Sequence, residues 1–144
     1  MGQYWLPVNL DKKEFVDPHK LGVGLKLGEQ VGSFPGTGAA LLILCAAMPE
    51  RRGGGDIVSD PVVGRWAGDR VALIGDYAEK DDIKKKRGDL CPSKIYSACR
   101  EGKWTDVSED VAKVIEQEVG GKFEGDGWRE FKFGKEWDGV FKEA

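Results

Sequence analysis

Histidine is almost missing from this chain: His19 is the only one among 144 residues. That removes the HExxH zinc helix and every Cys/His zinc set, and leaves a Ser–His or Cys–His nucleophile with His19 as its sole base. His19 stands in Asp17-Pro18-His19-Lys20, a strand-to-helix corner, and reads there as an exposed or capping residue rather than a catalytic one. Cysteine is scarce as well. Cys45, Cys91 and Cys99 make an odd number with no CxxC, which argues against a disulfide framework. Cys45 lies in the most apolar segment and reads as a small buried hydrophobe. Cys91 and Cys99 can pair only if the backbone brings them close. Long hydrophobic runs are also lacking. The longest, Gly38–Met48, has 11 residues, whereas a bilayer-spanning helix needs about 20. No basic stretch followed by an apolar one opens the chain, so no signal peptide is expected, and Leu6 stands where a myristoylation pattern needs Ser or Thr. A soluble cytoplasmic protein without membrane contact is the expectation. An excess of one charge is missing too. Twenty-two basic and 25 acidic residues leave a net charge of −3, so the basic stripe of a nucleic-acid binder is not expected. The one basic run, Lys84-Lys85-Lys86-Arg87, follows Asp81-Asp82 and reads as a solvated loop.

Glycine is what the chain has in excess: 21 residues, about twice the average usage of ~7%. With only six prolines beside it, the sum stays below the ~25–30% of low-complexity chains. Five Trp, six Phe and three Tyr, with near-balanced charge, exclude disorder. The length fits a single domain over 1–144, large enough to build a core without metal or disulfide.

Gln3–Leu10 is aromatic and β-branched and reads as a strand. Pro7, lacking an N–H, predicts that this strand lies at a sheet edge or carries a bulge. Asp11–Glu14 forms a turn into a second short strand at Phe15-Val16, giving a hairpin over 3–17. Leu21, Leu25, Gly28 and Val31 are near-helically spaced, but Gly22, Gly24, Gly28 and Gly32 each weaken a helix by about 1 kcal/mol. Glycines on one face would let another backbone come close. After the break at Ser33-Phe34-Pro35-Gly36, Thr37 can cap a helix over about 37–48. It is apolar on all sides, the pattern of a buried central helix. Glu50–Asp60, with Gly53-Gly54-Gly55, reads as a flexible loop. Val62–Trp66 and Arg70–Tyr77 read as two strands around the turn Ala67-Gly68-Asp69. Ser93–Arg100 is a short helix. Ser108 is the expected N-cap of an amphipathic helix over about 108–119, with Val111, Val114, Ile115 and Val119 on one face and Gly120-Gly121 at its C-terminus. Lys122–Phe133 alternates around Gly125-Asp126-Gly127, the strongest hairpin signal in the chain. Strands and helices mix without a βαβ rhythm, so the predicted class is α+β with a mainly antiparallel sheet.

The chemistry-bearing motifs are few. Pro35-Gly36-Thr37-Gly38 lacks the Lys of a P-loop, and Gly22, Gly24 and Gly28 miss the GxGxxG spacing. The most distinctive feature is a recurring Gly-Asp pair at 55-56, 68-69, 75-76, 88-89 and 125-126. If Asp56, Asp69 and Asp76 converge at a strand edge they can hold Mg²⁺, with Arg51, Arg52, Arg65 and Arg70 clamping a phosphate. The competing reading is turn chemistry, because Gly accepts a left-handed backbone and Asp caps turns. Gly64–Arg70 (GRWAGDR) is dense in functional residue types. Trp66 between Arg65 and Arg70 can stack a base or sugar, or it can be a core residue with the arginines on a salt-bridged rim. Arg65, Trp66, Asp69, Arg70, Asp76 and Tyr77 are therefore the candidate pocket.

The opening MGQYWLPVNLDKKEFVDPHKLGVGLKLGEQ, then AAMPERRGGGD, then GRWAGDRVALIGDYA and late KFEGDGWREF resemble a group of small uncharacterised microbial proteins over most of the chain. The resemblance implies a standalone domain starting at Met1 and no biochemical role. With no nucleophile–base pair and no cofactor fingerprint, the leading expectation is a protein that acts by binding a protein partner or by self-association as a homo-oligomer, with no cofactor. The edge strand 3–10 and the aromatic C-terminal region are the surfaces to watch. The alternatives are a Mg²⁺-dependent phosphate-ester hydrolase or nucleotide-binding enzyme on the Gly-Asp carboxylates, and a toxin or defence protein.

Overall fold

Residues 2–47, 57–83 and 91–139 are described by the structure, a computed structural model. The Gly53–Gly55 loop, Asp56 and the basic run 84–87 lie outside them. The expected N-terminal hairpin forms. β1 (Trp5–Asn9) pairs antiparallel with β2 (Glu14–Phe15), with Val8 opposite Phe15 and Asn9 opposite Glu14. The loop between them is built by Asn9, whose Oδ1 accepts from the amides of Asp11 and Lys12 at 2.9 and 2.8 Å. Such a side-chain turn satisfies donors that a tight corner would otherwise leave open.

β1 is not an edge strand. It also pairs antiparallel along its whole length with β3 (Val71–Gly75), so the four-stranded sheet runs β3-β1-β2-β4, with β4 (Thr105–Asp106) parallel to β2. Pro7 is accommodated because its missing N–H points toward the β2 side where that two-residue strand stops. Its carbonyl still accepts from Val16 at 3.0 Å.

Helices cover both faces of the sheet. Leu6, Val8, Leu10, Phe15 and Ile74 pack with Ile95 and Cys99 of α3 (Pro92–Arg100). On the other face Val16, Leu21 and Trp66 pack with α2 (Thr37–Leu44) and α4 (Ser108–Ile115). A further hairpin, β5 (Gly121–Glu124) and β6 (Glu130–Phe133), turns at Gly125 (φ 116) and Gly127 (φ 67), as its glycines predict, and adds Phe123 to the second core. The class is α+β, with antiparallel pairing predominant.

Several elements differ from expectation. The 21–31 segment is not one helix: a 3₁₀ turn at Pro18–Leu21 ends at Gly22 (φ 74), and only Leu27–Gly32 (α1) is helical. α2 starts at Thr37 itself, with Gly36 at the cap, and ends at Leu44, short of the expected 48. It is not buried all round. Ala40, Ile43 and Leu44 face the core while Leu42 points outward, and Cys45 is exposed rather than buried. Cys99 is the buried thiol, its pKa pushed up to about 12 by desolvation. The helix read as 108–119 runs α-helical to Ile115 and then loosens into a π turn over Glu116–Gly120. Ser108 sits one residue inside α4. Its hydroxyl donates to Asp106 and accepts from the amide of Asp17 at 2.6 Å.

Candidate functional site

Val62–Trp66 is not a strand, and the reason lies in where its amides go. Gly64 and Trp66 donate to the carbonyls of Ile43 and Leu44, the last two residues of α2, at 2.9 and 2.8 Å. The amides of Val63, Arg65, Ala67 and Asp69 instead close successive turns onto carbonyls three residues back. Gly64 (φ 81) and Gly68 (φ 84) allow this course. The segment is thus a strap running from α2 to β3.

Each side chain of the GRWAGDR motif with a polar group reaches the β1–β2 hairpin. Arg65 forks onto Glu14, with Nε 3.1 Å from both carboxylate oxygens and Nη2 closing the second arm. The Trp66 indole donates to the same carboxylate at 2.9 Å. Asp69 accepts from the Asn9 amide at 2.8 Å and from Lys12. Arg70 pairs with Asp11, donating through its amide at 2.7 Å and its Nε at 2.8 Å. These contacts set the local electrostatics. The hydrogen bond to Glu14 raises the pKa of Arg65. Lys12, then Asn9, hold Asp69 below the usual carboxylate range, and Arg70 does the same for Asp11. Trp66 is fully buried and serves as a core anchor, not a stacking platform. Bidentate pairing fixes geometry as well as charge, so the motif clamps the hairpin onto the strap.

The candidate residues do not share one pocket. Arg65 borders a recess of about 310 Å³ with Asp110 and Lys113, whereas Asp76 and Tyr77 line one of about 200 Å³ with Tyr4 and Lys26. Asp76 is engaged with Tyr4, accepting from its amide and donating to its carbonyl, both at 2.9 Å. Asp69 and Asp76 flank the two ends of β3, about 20 Å apart at the rise of an extended strand. They cannot share a cation, and Asp56, the third expected ligand, lies outside the described residues. Among the described residues no group of three or more His, Cys, Asp or Glu is placed to hold a metal.

Two features were missed from the sequence. One is a recess between the Pro18–Leu21 turn and the tip of the β5–β6 hairpin, where the His19 and Trp128 rings stack with centroids 5.0 Å apart and planes within 8°. The other is an apolar face on the two consecutive short helices. Leu27 and Val31 of α1, Phe34 at the corner and Leu42 of α2 are 38, 79, 66 and 78% exposed. Residues 27–47 hold one charged residue, Glu29, in a chain that is 33% charged, and Glu29 is turned back onto the amide of Lys26 at 3.1 Å. That charge gap was the available signal. The uniform apolarity of α2 hid it by pointing to burial. Gly28, Gly32 and Gly38 lie in the same segment with open space where a side chain would begin.

No helix among the described residues is long and apolar enough to cross a membrane. No protein-family model matches the chain, and comparison with curated proteins and with solved structures finds no match.

Proposed function

We propose that this cytosolic protein acts by self-association, through the face that α1, the Ser33–Gly36 corner and α2 turn outward. The observation that carries the reading is the exposure of Leu27, Val31, Phe34 and Leu42 within a segment whose only charge is already engaged. Several large apolar side chains left open within one uncharged segment mark an interaction site. The GRWAGDR residues, which have the look of chemistry, are by contrast spent within the fold.

The occupant is a second copy of the chain. A face without free charge needs a partner equally free of charge, since an unpaired ion buried against it is costly. The same uncharged face on another copy meets that condition, and a two-fold axis brings one patch onto itself, the commonest arrangement of soluble oligomers. Open glycines at 28, 32 and 38 leave room for a second backbone.

Sedimentation equilibrium tests the reading. The wild type is expected to form a dimer at micromolar concentration. Leu42→Asp and Val31→Asp are each expected to weaken it at least about tenfold, since burying one such side chain is worth about 1.5–3 kcal/mol. Their melting temperatures should stay near wild type, because both positions are exposed in the monomer. A wild type that remains monomeric throughout, or a Leu42→Asp variant that dimerises as tightly, overturns it.

A further inference from the structure

A second site stands apart from the apolar face. The Pro18–Leu21 turn and the Gly125–Arg129 hairpin tip enclose a recess of about 270 Å³, which α3 closes with its last residue, Arg100. The tip is docked on the turn: the Arg129 amide donates to the His19 carbonyl at 2.7 Å, and Trp128 stacks on the His19 ring. Trp128 is nonetheless 55% exposed, so it presents an aromatic surface beside the recess. Three cations line the space, and they differ in what they already hold. Lys20 is bonded to Asp106 at 2.7 Å, which raises its pKa, and Arg129 is bonded to Glu109, which lowers the Glu109 carboxyl. Each keeps further N–H donors, since an ammonium carries three and a guanidinium five. The Arg100 side chain makes no hydrogen bond or ion pair among the described residues. Of the two lining carboxylates, Asp17 caps the turn by accepting from the His19 amide at 3.1 Å. Asp126, exposed at the loop tip, opposes an anion.

We propose that this recess binds a small phosphomonoester carrying a planar ring, with Arg100 as the principal ligand to the phosphate, Lys20 and Arg129 adding donors, and the ring against Trp128. A forked guanidinium whose side chain has no hydrogen-bond or ion-pair partner among the described residues matches two phosphate oxygens at once. A volume just under the ~300–1,000 Å³ of drug-sized pockets suits one such group. Aromatic stacking on Trp128 supplies the rest of the contact.

The test uses the whole protein, with inorganic phosphate and phenyl phosphate as probes. Binding is read from the His19 ring protons and the Trp128 indole proton by nuclear magnetic resonance. Both probes are expected to shift these signals saturably, and phenyl phosphate is expected to bind more tightly. Arg100→Gln should weaken binding at least about tenfold, the worth of a charged hydrogen bond. Its unchanged near-ultraviolet circular dichroism would report an intact fold, since the Arg100 side chain bonds none of the described residues. Asp126→Asn should tighten binding by removing a like charge. The inference is overturned if phosphate leaves His19 and Trp128 unmoved, or if Arg100→Gln binds as well as wild type. It is overturned in favour of a zwitterionic ligand if Asp126→Asn weakens binding. Equal affinity for the two probes overturns the role of the ring. None of these readouts depends on oligomeric state, so failure here leaves the self-association reading standing.

Discussion

Glu14 is the residue on which the interior charge balance turns. The residue is 3% exposed, and its carboxylate accepts from the Arg65 guanidinium on two sides and from the Trp66 indole. A buried carboxylate is tolerated only when donors replace the water it has lost. Deleting it leaves an indole N–H in the core and a guanidinium above an empty space. Removing one partner of a buried pair costs about 3–5 kcal/mol. The Arg65 side chain is 45% exposed and can turn back to solvent, which places Glu14→Ala at the lower end. Glu14→Gln keeps an oxygen for Trp66 while giving up the charge, so its loss falls between wild type and Glu14→Ala. Urea denaturation measures both. A loss below about 1 kcal/mol for Glu14→Ala would class the pair with ordinary surface ion pairs and would deny the strap its role as a clamp.

At the scale of elements, α1 is the piece whose sequence and environment disagree within one chain. It is six residues long, carries Gly28 inside it, and among the described residues beyond its own helix and chain neighbours nothing comes within 4 Å of where a Gly28 side chain would begin. Gly28→Ala should therefore raise the stability of the isolated monomer by up to about 1 kcal/mol, the helix preference of alanine over glycine. If a second copy packs its backbone there, the same change should weaken the dimer. Thermal melts at low protein concentration, set beside sedimentation of the same variant, read the two effects separately. An alanine that stabilises the monomer and leaves dimerisation untouched removes the glycines from the interface. What sequence makes legible at this scale is local. The 125–127 turn follows from glycine's left-handed backbone, and α4 from the spacing of Val111, Val114 and Ile115. What escapes it is tertiary. Val62–Trp66 is β-branched and aromatic like a strand, but the amides of Gly64 and Trp66 are claimed by the carbonyls of Ile43 and Leu44. Pro7 argues for an edge, but β2 simply stops beside it. The residue types of the candidate site were visible in GRWAGDR, whereas their partners, 51 to 60 positions away at Glu14, Asn9 and Asp11, were not.

Across the whole molecule, two cores lie on opposite faces of one sheet, and the chain crosses between them. Neighbouring residues divide between the two: Phe15 packs with α3 while Val16 packs with α2 and α4, and in β3 Val71 faces one core while Ala72 and Ile74 face the other. A sheet of which each face is covered by a different core cannot lose one without exposing apolar surface on the strands that line the other. The strap adds a polar tie in the same sense, since Trp66 lies in one core and its indole is bonded to Glu14 of the hairpin. Both cores should therefore unfold together. The tryptophans report on different parts of this arrangement: Trp66 is in the α2–α4 core, Trp104 packs against the α3 core, and Trp137 docks on the π turn by donating to the Val119 carbonyl. Intrinsic fluorescence and far-ultraviolet circular dichroism are then expected to give superimposable urea transitions, the mark of a two-state domain under about 150 residues. In Glu14→Ala the midpoint should fall while the curves still coincide, because the tie is weakened and the shared sheet is not. Separation of the two probes in the wild type would divide the chain into independently folding units. Separation only in Glu14→Ala would assign the coupling to the strap rather than to the sheet.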